Sequence, residues 1–259
     1  MLRPRIIPCL LVQDKGLVKT INFKNPKYIG DPINAVRIFN EKEVDELMVV
    51  DIDATKKNRE PDYQMIKFLA AECRMPLCYG GGIKTIEQAQ IIFGLGVEKI
   101  ALSSIAVEKP ELINKIANIV GNQSVVIVID VLKNAFSGKY EIYTNNGLKP
   151  TGLNPCDFAE RAEKLGAGEI VINSIDNDGI MKGYDLSLVN IVRKSINLPL
   201  TILGGAGSLQ DIGELINKFG IIGAAAGSFF VFKGPYKAVL INYPNRLIKE
   251  QLLTRNLMF

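Results

Sequence analysis

The feature that most constrains the fold is an internal repeat. "YGGGIKT" at 79–85 returns as "LGGAGSL" at 203–209, and "LSSIA" at 102–106 returns as "AGSFF" at 226–230, each 124 positions later. "DIDAT" at 51–55 returns as "DNDGI" at 176–180, displaced by 125. A period near half of a 259-residue chain, with several elements in each copy, fits two half-barrels that close on one another. An open doubly wound sheet does not require such a period.

Short apolar, β-branched runs alternate with segments of helical period, as in a parallel sheet built from βα units. Eight runs read as strands, at 5–12, 46–52, 76–81, 97–103, 124–130, 168–174, 199–205 and 221–227. Amphipathic helices are predicted between them at 32–43, 61–74, 85–94, 109–119, 155–165, 186–195 and 209–218. Eight strands with right-handed helical crossovers make a (β/α)8 TIM barrel with a twofold half-barrel repeat. One domain is expected over 1–259, with half-barrels at about 1–120 and 121–245 and a C-terminal tail at about 246–259. Two segments depart from the repeat. Residues 13–31 form a long first βα loop, expected to be a lid or mobile, and 132–150 resemble a small hairpin after the fifth strand.

Composition removes several functions. The chain has no histidine, so a Ser-His-Asp or Cys-His site and a His-ligated metal centre are excluded. The cysteines at 9, 73, 78 and 156 have no CxxC spacing and read as reduced, mostly buried thiols; no metal and no cofactor are expected. A net charge of +4 spread along the chain marks no nucleic-acid surface. No apolar run approaches the roughly 20 residues that span a bilayer, and the start carries no signal-peptide pattern, so a cytoplasmic protein without a membrane partner is expected.

Barrel sites are built from the C-terminal ends of strands and the loops that follow. Those ends supply Asp51, Asp130, Asp176 and Asp178, with Asp14 and Lys19 in the first loop. A single strand-end carboxylate is often only a helix cap, but four at one mouth favour a site. "GGGI" (80–83) with "SSIA" (103–106), and "GGAG" (204–207) with "AGSFF" (226–230), place bare amides and hydroxyls at two related positions. Such turns bind phosphate, and two of them suggest a small molecule with a phosphate at each end. Arg5, Glu46, Lys99 and Glu169 fall at strand starts on the opposite face, where spacing alone reads as charge pairing in the barrel base.

From "RIIPCL" to "VFKG" the chain resembles the cyclase subunit of imidazole glycerol phosphate synthase, with "VKTINF", "DELMVVDIDA", "YGGGI", "VEKIALSS", "GEIVINSIDNDG", "LGGAGS" and "AAGSFF" in order. The resemblance implies a barrel that closes an imidazole ring on a bisphosphorylated ribonucleotide. It also implies a glutaminase subunit at the barrel bottom that supplies ammonia. It places one phosphate on Gly82, Ser103 and Ser104 and the other on Gly205, Gly227 and Ser228, with Lys19, Asp51 and Asp178 as further site positions. Ser103 stands where an asparagine is common in the family. Arg5, Glu46, Lys99 and Glu169 match the family's ammonia gate, which reverses the weight given to spacing alone. Of the family's two catalytic aspartates, the second is Asp130 and the first is Leu11. Leucine moves no proton, and a positioned acid or base contributes about 10²–10⁴-fold.

The first segment is most similar to a divergent branch associated with surface-polysaccharide genes. That likeness implies an ammonia-conducting subunit working with a glutaminase and a separate sugar amidotransferase that makes acetamidino sugars. A true cyclase of histidine biosynthesis, and a non-catalytic phosphate-ligand-binding scaffold for a glutaminase, are the alternatives.

Overall fold

The computed structural model describes residues 3–254. The barrel begins with β1 (Arg5–Gln13), which runs directly into a hairpin, β2 (Gly16–Ile21) and β3 (Lys24–Gly30), before α1 (Pro32–Glu41). The chain continues through β4 (Leu47–Asp51), α2 (Tyr63–Glu72), β5 (Leu77–Gly80), α3 (Ile86–Gly94), β6 (Lys99–Leu102), α4 (Ser104–Glu108) and α5 (Glu111–Val120). β7 (Val125–Lys133) is followed by β8 (Tyr140–Thr144) and β9 (Lys149–Pro150), then α6 (Pro155–Lys164) and β10 (Glu169–Ser174). The barrel finishes with α7 (Leu186–Ser195), β11 (Leu200–Leu203), α8 (Leu209–Phe219), β12 (Gly223–Ala226) and α9 (Ser228–Val231). A short ribbon of β13 (Phe232–Lys233) and β14 (Ala238–Val239) precedes α10 (Arg246–Thr254).

Parallel pairing runs β1–β4–β5–β6–β7–β10–β11–β12, and β12 pairs back onto β1 with Arg5 opposite Gly223. This is the closed eight-stranded (β/α)8 barrel that the repeat predicts, and every predicted barrel strand overlaps an observed one. Capping chemistry starts the helices where the strands end. Asp31, Asp62, Asn154 and Asp185 accept backbone N–H groups at helix N-termini, and Thr85–Gln88 and Ser208–Asp211 form reciprocal capping boxes.

Apolar side chains fall into two clusters. The larger fills the space between strands and helices; the smaller occupies the barrel interior, with Ile7, Met48, Ala101, Val126, Val171 and Leu203 among its members. Alternation along each strand produces the division, because successive side chains face opposite sides.

The first loop differs from expectation. Residues 13–31 are a paired hairpin rather than an irregular lid. Two-residue turns at Asp14–Lys15 and Asn22–Phe23, all four residues with positive φ, reverse the chain as primed turns do. The hairpin predicted within 132–150 is present as β8 and β9. Of the predicted tail, 246–254 is helical and 255–259 lies outside the described residues. Near the barrel bottom, the Tyr243 hydroxyl donates to the Ile6 carbonyl at 2.8 Å and Lys249 pairs with Asp45 at 2.8 Å.

Candidate functional site at the barrel mouth

The C-terminal ends of the strands surround one cavity. Its lining includes Leu11, Lys19, Asp51, Asp130 and Asp178, together with both glycine–serine pairs: Gly82, Ser103 and Ser104, and Gly205, Gly227 and Ser228. Thus the residues singled out on this face meet, with two exceptions. Asp176 accepts the Lys133 N–H at 2.8 Å and braces the extension of β7 instead of lining the cavity. Asp14 sits on an exposed turn, where Lys57 at 2.8 Å and Arg59 at 3.7 Å engage its carboxylate. Lys57 and Arg59 therefore engage the Asp14 carboxylate on the exposed rim.

Asp130 lies within β7, where the strand begins to pair with β8, and is nearly enclosed. Its Oδ1 accepts Asn173 Nδ2 at 2.9 Å and its Oδ2 accepts the Ser103 hydroxyl at 3.0 Å. Burial pushes its carboxyl up to about 6; the two hydrogen bonds oppose that rise, and the nearby Asp178 charge adds to it. Ser103 is therefore turned towards Asp130. Asn173 had not been anticipated, although strand alternation from Glu169 through Val171 puts it on the inward face. Leu11 joins Val50 and Val128 against the interior cluster, so the position carries packing and no titratable group.

Lys19 departs from the loop expectation most sharply. It lies within β2, buried, and its Nζ donates to the Cys9 carbonyl at 2.6 Å. A methyl group built on Gly227 would come within 2.5 Å of the same Nζ, so the ammonium rests directly over the second glycine–serine turn. Burial lowers the Lys19 pKa, against the raising effects of Cys9 and Asp178. Asp178 takes the Thr20 hydroxyl at 2.6 Å and the Phe23 N–H at 3.1 Å, while Asn22 Nδ2 donates to the Ile175 and Asp176 carbonyls. The loop after β10 thereby holds the tip of the β2–β3 hairpin. Asp51 caps its own loop, accepting the Asp53 and Ala54 N–H groups at 3.0 Å each, and burial raises its carboxyl pKa.

The turns after β5 and β11 require glycine for a steric reason. A Cβ at Gly81 would stand 2.5 Å from the Asp51 carbonyl, and one at Gly205 would stand 2.1 Å from that of Gly183. A side chain at either position would collide with the backbone of the neighbouring loop, so the turns keep their close approach only as glycine. Ser104 also accepts the Asn145 N–H at 2.9 Å, which ties the first turn to the β8–β9 hairpin.

At the opposite end, the four charged strand starts form one network. Arg5 reaches Glu46 at 2.5 Å and Glu169 at 2.7 Å; Lys99 reaches the same two carboxylates at 2.9 and 3.0 Å. Thr201, overlooked in the sequence, donates to Glu169 at 2.6 Å and accepts from Arg5 at 3.4 Å. Burial disfavours the Glu169 charge, but Arg5 and Lys99 outweigh it and hold the carboxyl well below its ordinary value.

Fold and mouth together define a (β/α)8 barrel with duplicated glycine–serine turns around a cavity that Asp51, Asp130 and Asp178 line. The family described as histidine biosynthesis protein matches residues 5–236. The chain belongs to that family. A Leptospira interrogans relative, provisionally named imidazole glycerol phosphate synthase subunit HisF, is 58% identical over 252 residues, 97% of this chain and 99% of the relative. A Pseudomonas aeruginosa relative, provisionally named subunit hisF2, is 51% identical over 245 residues, 95% of this chain and 97% of its own. The imidazole glycerol phosphate synthase subunit HisF of Lactococcus lactis subsp. cremoris is 39% identical over 259 residues, 98% and 100% of the two chains.

Proposed function

We propose that this HisF-type barrel is the ammonia-conducting synthase subunit of a glutamine-dependent amidotransferase. A glutaminase subunit docks at the barrel bottom, and the ammonia serves acetamidino-sugar formation in bacterial surface-polysaccharide biosynthesis, through a separate sugar amidotransferase. The observation that carries this proposal is the contrast between the two ends of β1. Arg5 keeps its place in a complete four-charge network with Glu46, Lys99 and Glu169, whereas the other end of the strand brings Leu11, and no acid, to the cavity that Asp130 lines. Asp14 offers no replacement while Lys57 holds it on the rim. Greater likeness to the provisionally named relatives than to the Lactococcus lactis HisF also favours a divergent branch.

The test is turnover of the bisphosphorylated imidazole-precursor ribonucleotide with saturating ammonium. Little or no ring closure is expected; robust turnover, or rescue of a histidine auxotroph lacking its own cyclase, would overturn the proposal. A second reading, a true imidazole glycerol phosphate synthase cyclase with Asp130 as its surviving acid–base, is favoured by one feature: both glycine–serine turns open into the cavity that Asp130 lines. In either case Gly82, Ser103 and Ser104 would bind one phosphate and Gly205, Gly227 and Ser228 the other, with Lys19 closing on the second. The gate is tested by Arg5→Ala and Lys99→Ala, which should uncouple glutamine hydrolysis from ammonia delivery.

A further inference from the structure

The two most exposed aromatic side chains among the described residues are Phe136, at 102%, and Tyr236, at 95%. Each stands at the tip of a projection beside the barrel mouth. β7 carries the chain past Asp130, which lines the cavity, to Lys133, and Phe136 occupies the turn into β8. Tyr236 occupies the turn between β13 and β14, and that ribbon reaches the same end of the barrel. Lys27 of the β2–β3 hairpin lies 5.9 Å from the centre of the Phe232 ring, and Lys233 and Lys237 line a groove with Met181, which also lines the mouth cavity.

Single exposed apolar residues are ordinary on protein surfaces. These two share an arrangement. "KNAFSGK" (133–139) and "KGPYK" (233–237) each set a lysine three positions before the aromatic residue and another within three positions after it, with no carboxylate between. Among the described residues, no ion pair engages Lys133, Lys139, Lys233 or Lys237. The acids near the first tip are bonded inward: Asp176 to the Lys133 N–H, Glu141 to the Gly152 N–H and Asp185 to the Tyr140 hydroxyl. Both turns are also internally bonded. Asn134 Oδ1 accepts the Phe136 and Ser137 N–H groups at 2.9 Å each, and the Lys237 N–H reaches the Gly234 carbonyl at 3.1 Å. Aromatic groups held out on ordered turns lose little freedom when a partner covers them, and such groups anchor protein interfaces.

We infer that the two lysine-flanked tips are the contact points of a docking face around the mouth, and that its occupant is a protein with an acidic surface and apolar recesses for Phe136 and Tyr236. Charge complementarity selects the acidic surface, because the lysines beside both tips have no carboxylate partner of their own. Anionic lipid would attract the same lysines. A bilayer seated on both tips, however, would close the mouth against the aqueous ligand that its carboxylates and glycine–serine turns require, whereas a protein can receive what leaves it. In the function proposed above that protein is the sugar amidotransferase; the inference rests on that reading and gives it an interface at the end of the barrel opposite the four-charge network.

The test is the affinity of the barrel–glutaminase complex for the purified sugar amidotransferase, measured by biolayer interferometry over a range of salt. Phe136→Ser combined with Tyr236→Ser should raise Kd at least about tenfold. Lys233→Glu combined with Lys237→Glu should slow association at low salt and flatten its salt dependence. Glutaminase binding should stay unchanged in both, since the altered side chains lie on exposed turns at the other end of the barrel. No complex with the unaltered barrel, or undiminished affinity in the doubly serine-substituted one, would overturn the docking face. So would binding through the tips to vesicles of phosphatidylglycerol and phosphatidylcholine in place of the amidotransferase. The two claims fail separately: robust ring closure by a barrel that still binds the amidotransferase through its tips removes the proposed function alone, and ammonia delivery by the doubly serine-substituted barrel at full affinity removes the docking face alone.

Discussion

Asp130 and Leu11 show how much one inward-facing side chain decides. In the unfolded chain Asp130 has lost its proton above about pH 4. In the folded chain it keeps the proton until about pH 6, so the folded state binds more protons between those values and stability falls as pH rises through the window. Moving a carboxyl from 3.8 to about 6 costs on the order of 3 kcal/mol once it is ionised. Asp130→Asn, with its oxygen towards Asn173 and its amide towards the Ser103 hydroxyl, should therefore stabilise the protein by about 2–3 kcal/mol at pH 8 and hardly at all at pH 4. Denaturant midpoints at the two pH values measure this. Leu11→Asp should act in the opposite sense, losing about 1–3 kcal/mol because a second carboxylate enters an apolar lining. The same variant should gain ring-closing turnover if the mouth retains the geometry of an acid pair. Its place at the end of a predicted strand made Asp130 legible as a site candidate. Asp176 and Asp178 were not separable in "DNDG", because only the loop's path sends one to the Lys133 N–H and the other to Thr20.

At the scale of elements, the barrel strands were readable because burial on both sides makes them continuous apolar runs. The β2–β3 hairpin was not, for the opposite reason. β3 is "KNPKYIG", largely exposed, with a proline and no alternating pattern, so only its docking reveals it as a strand. That docking depends on Asp178. Asp178→Ala removes the acceptor for Thr20 and Phe23 and should speed tryptic cleavage after Lys24 and Lys27 several-fold, while the global unfolding free energy changes by only about 1 kcal/mol. Unchanged cleavage would mean that strand pairing with β1 holds the hairpin by itself.

Over the whole molecule, the bottom network joins β1, β4, β6 and β10 through two cations that each bridge the same two carboxylates. Arg5→Ala leaves Glu46 and Glu169 sharing Lys99 alone and should cost about 3 kcal/mol, measured by chemical denaturation at neutral pH. The Glu169 carboxyl is held below its ordinary value, so its stabilisation is present above that value and is lost as pH falls below it. Acid unfolding of Arg5→Ala should be correspondingly shallower. Charge type and strand-start position made four members of this network visible in advance; Thr201 was hidden because a threonine at a strand start is unremarkable until Glu169 lies 2.6 Å away.

The contact between Asp178 and Thr20 has a consequence for how the molecule is assembled. The hairpin that lines one side of the mouth grows from the first half of the chain, and the carboxylate that fastens its tip belongs to the second. Neither half can fasten that tip alone. A barrel that has not completed its circle leaves the hairpin loose, so a docked hairpin reports that the two halves have met in register.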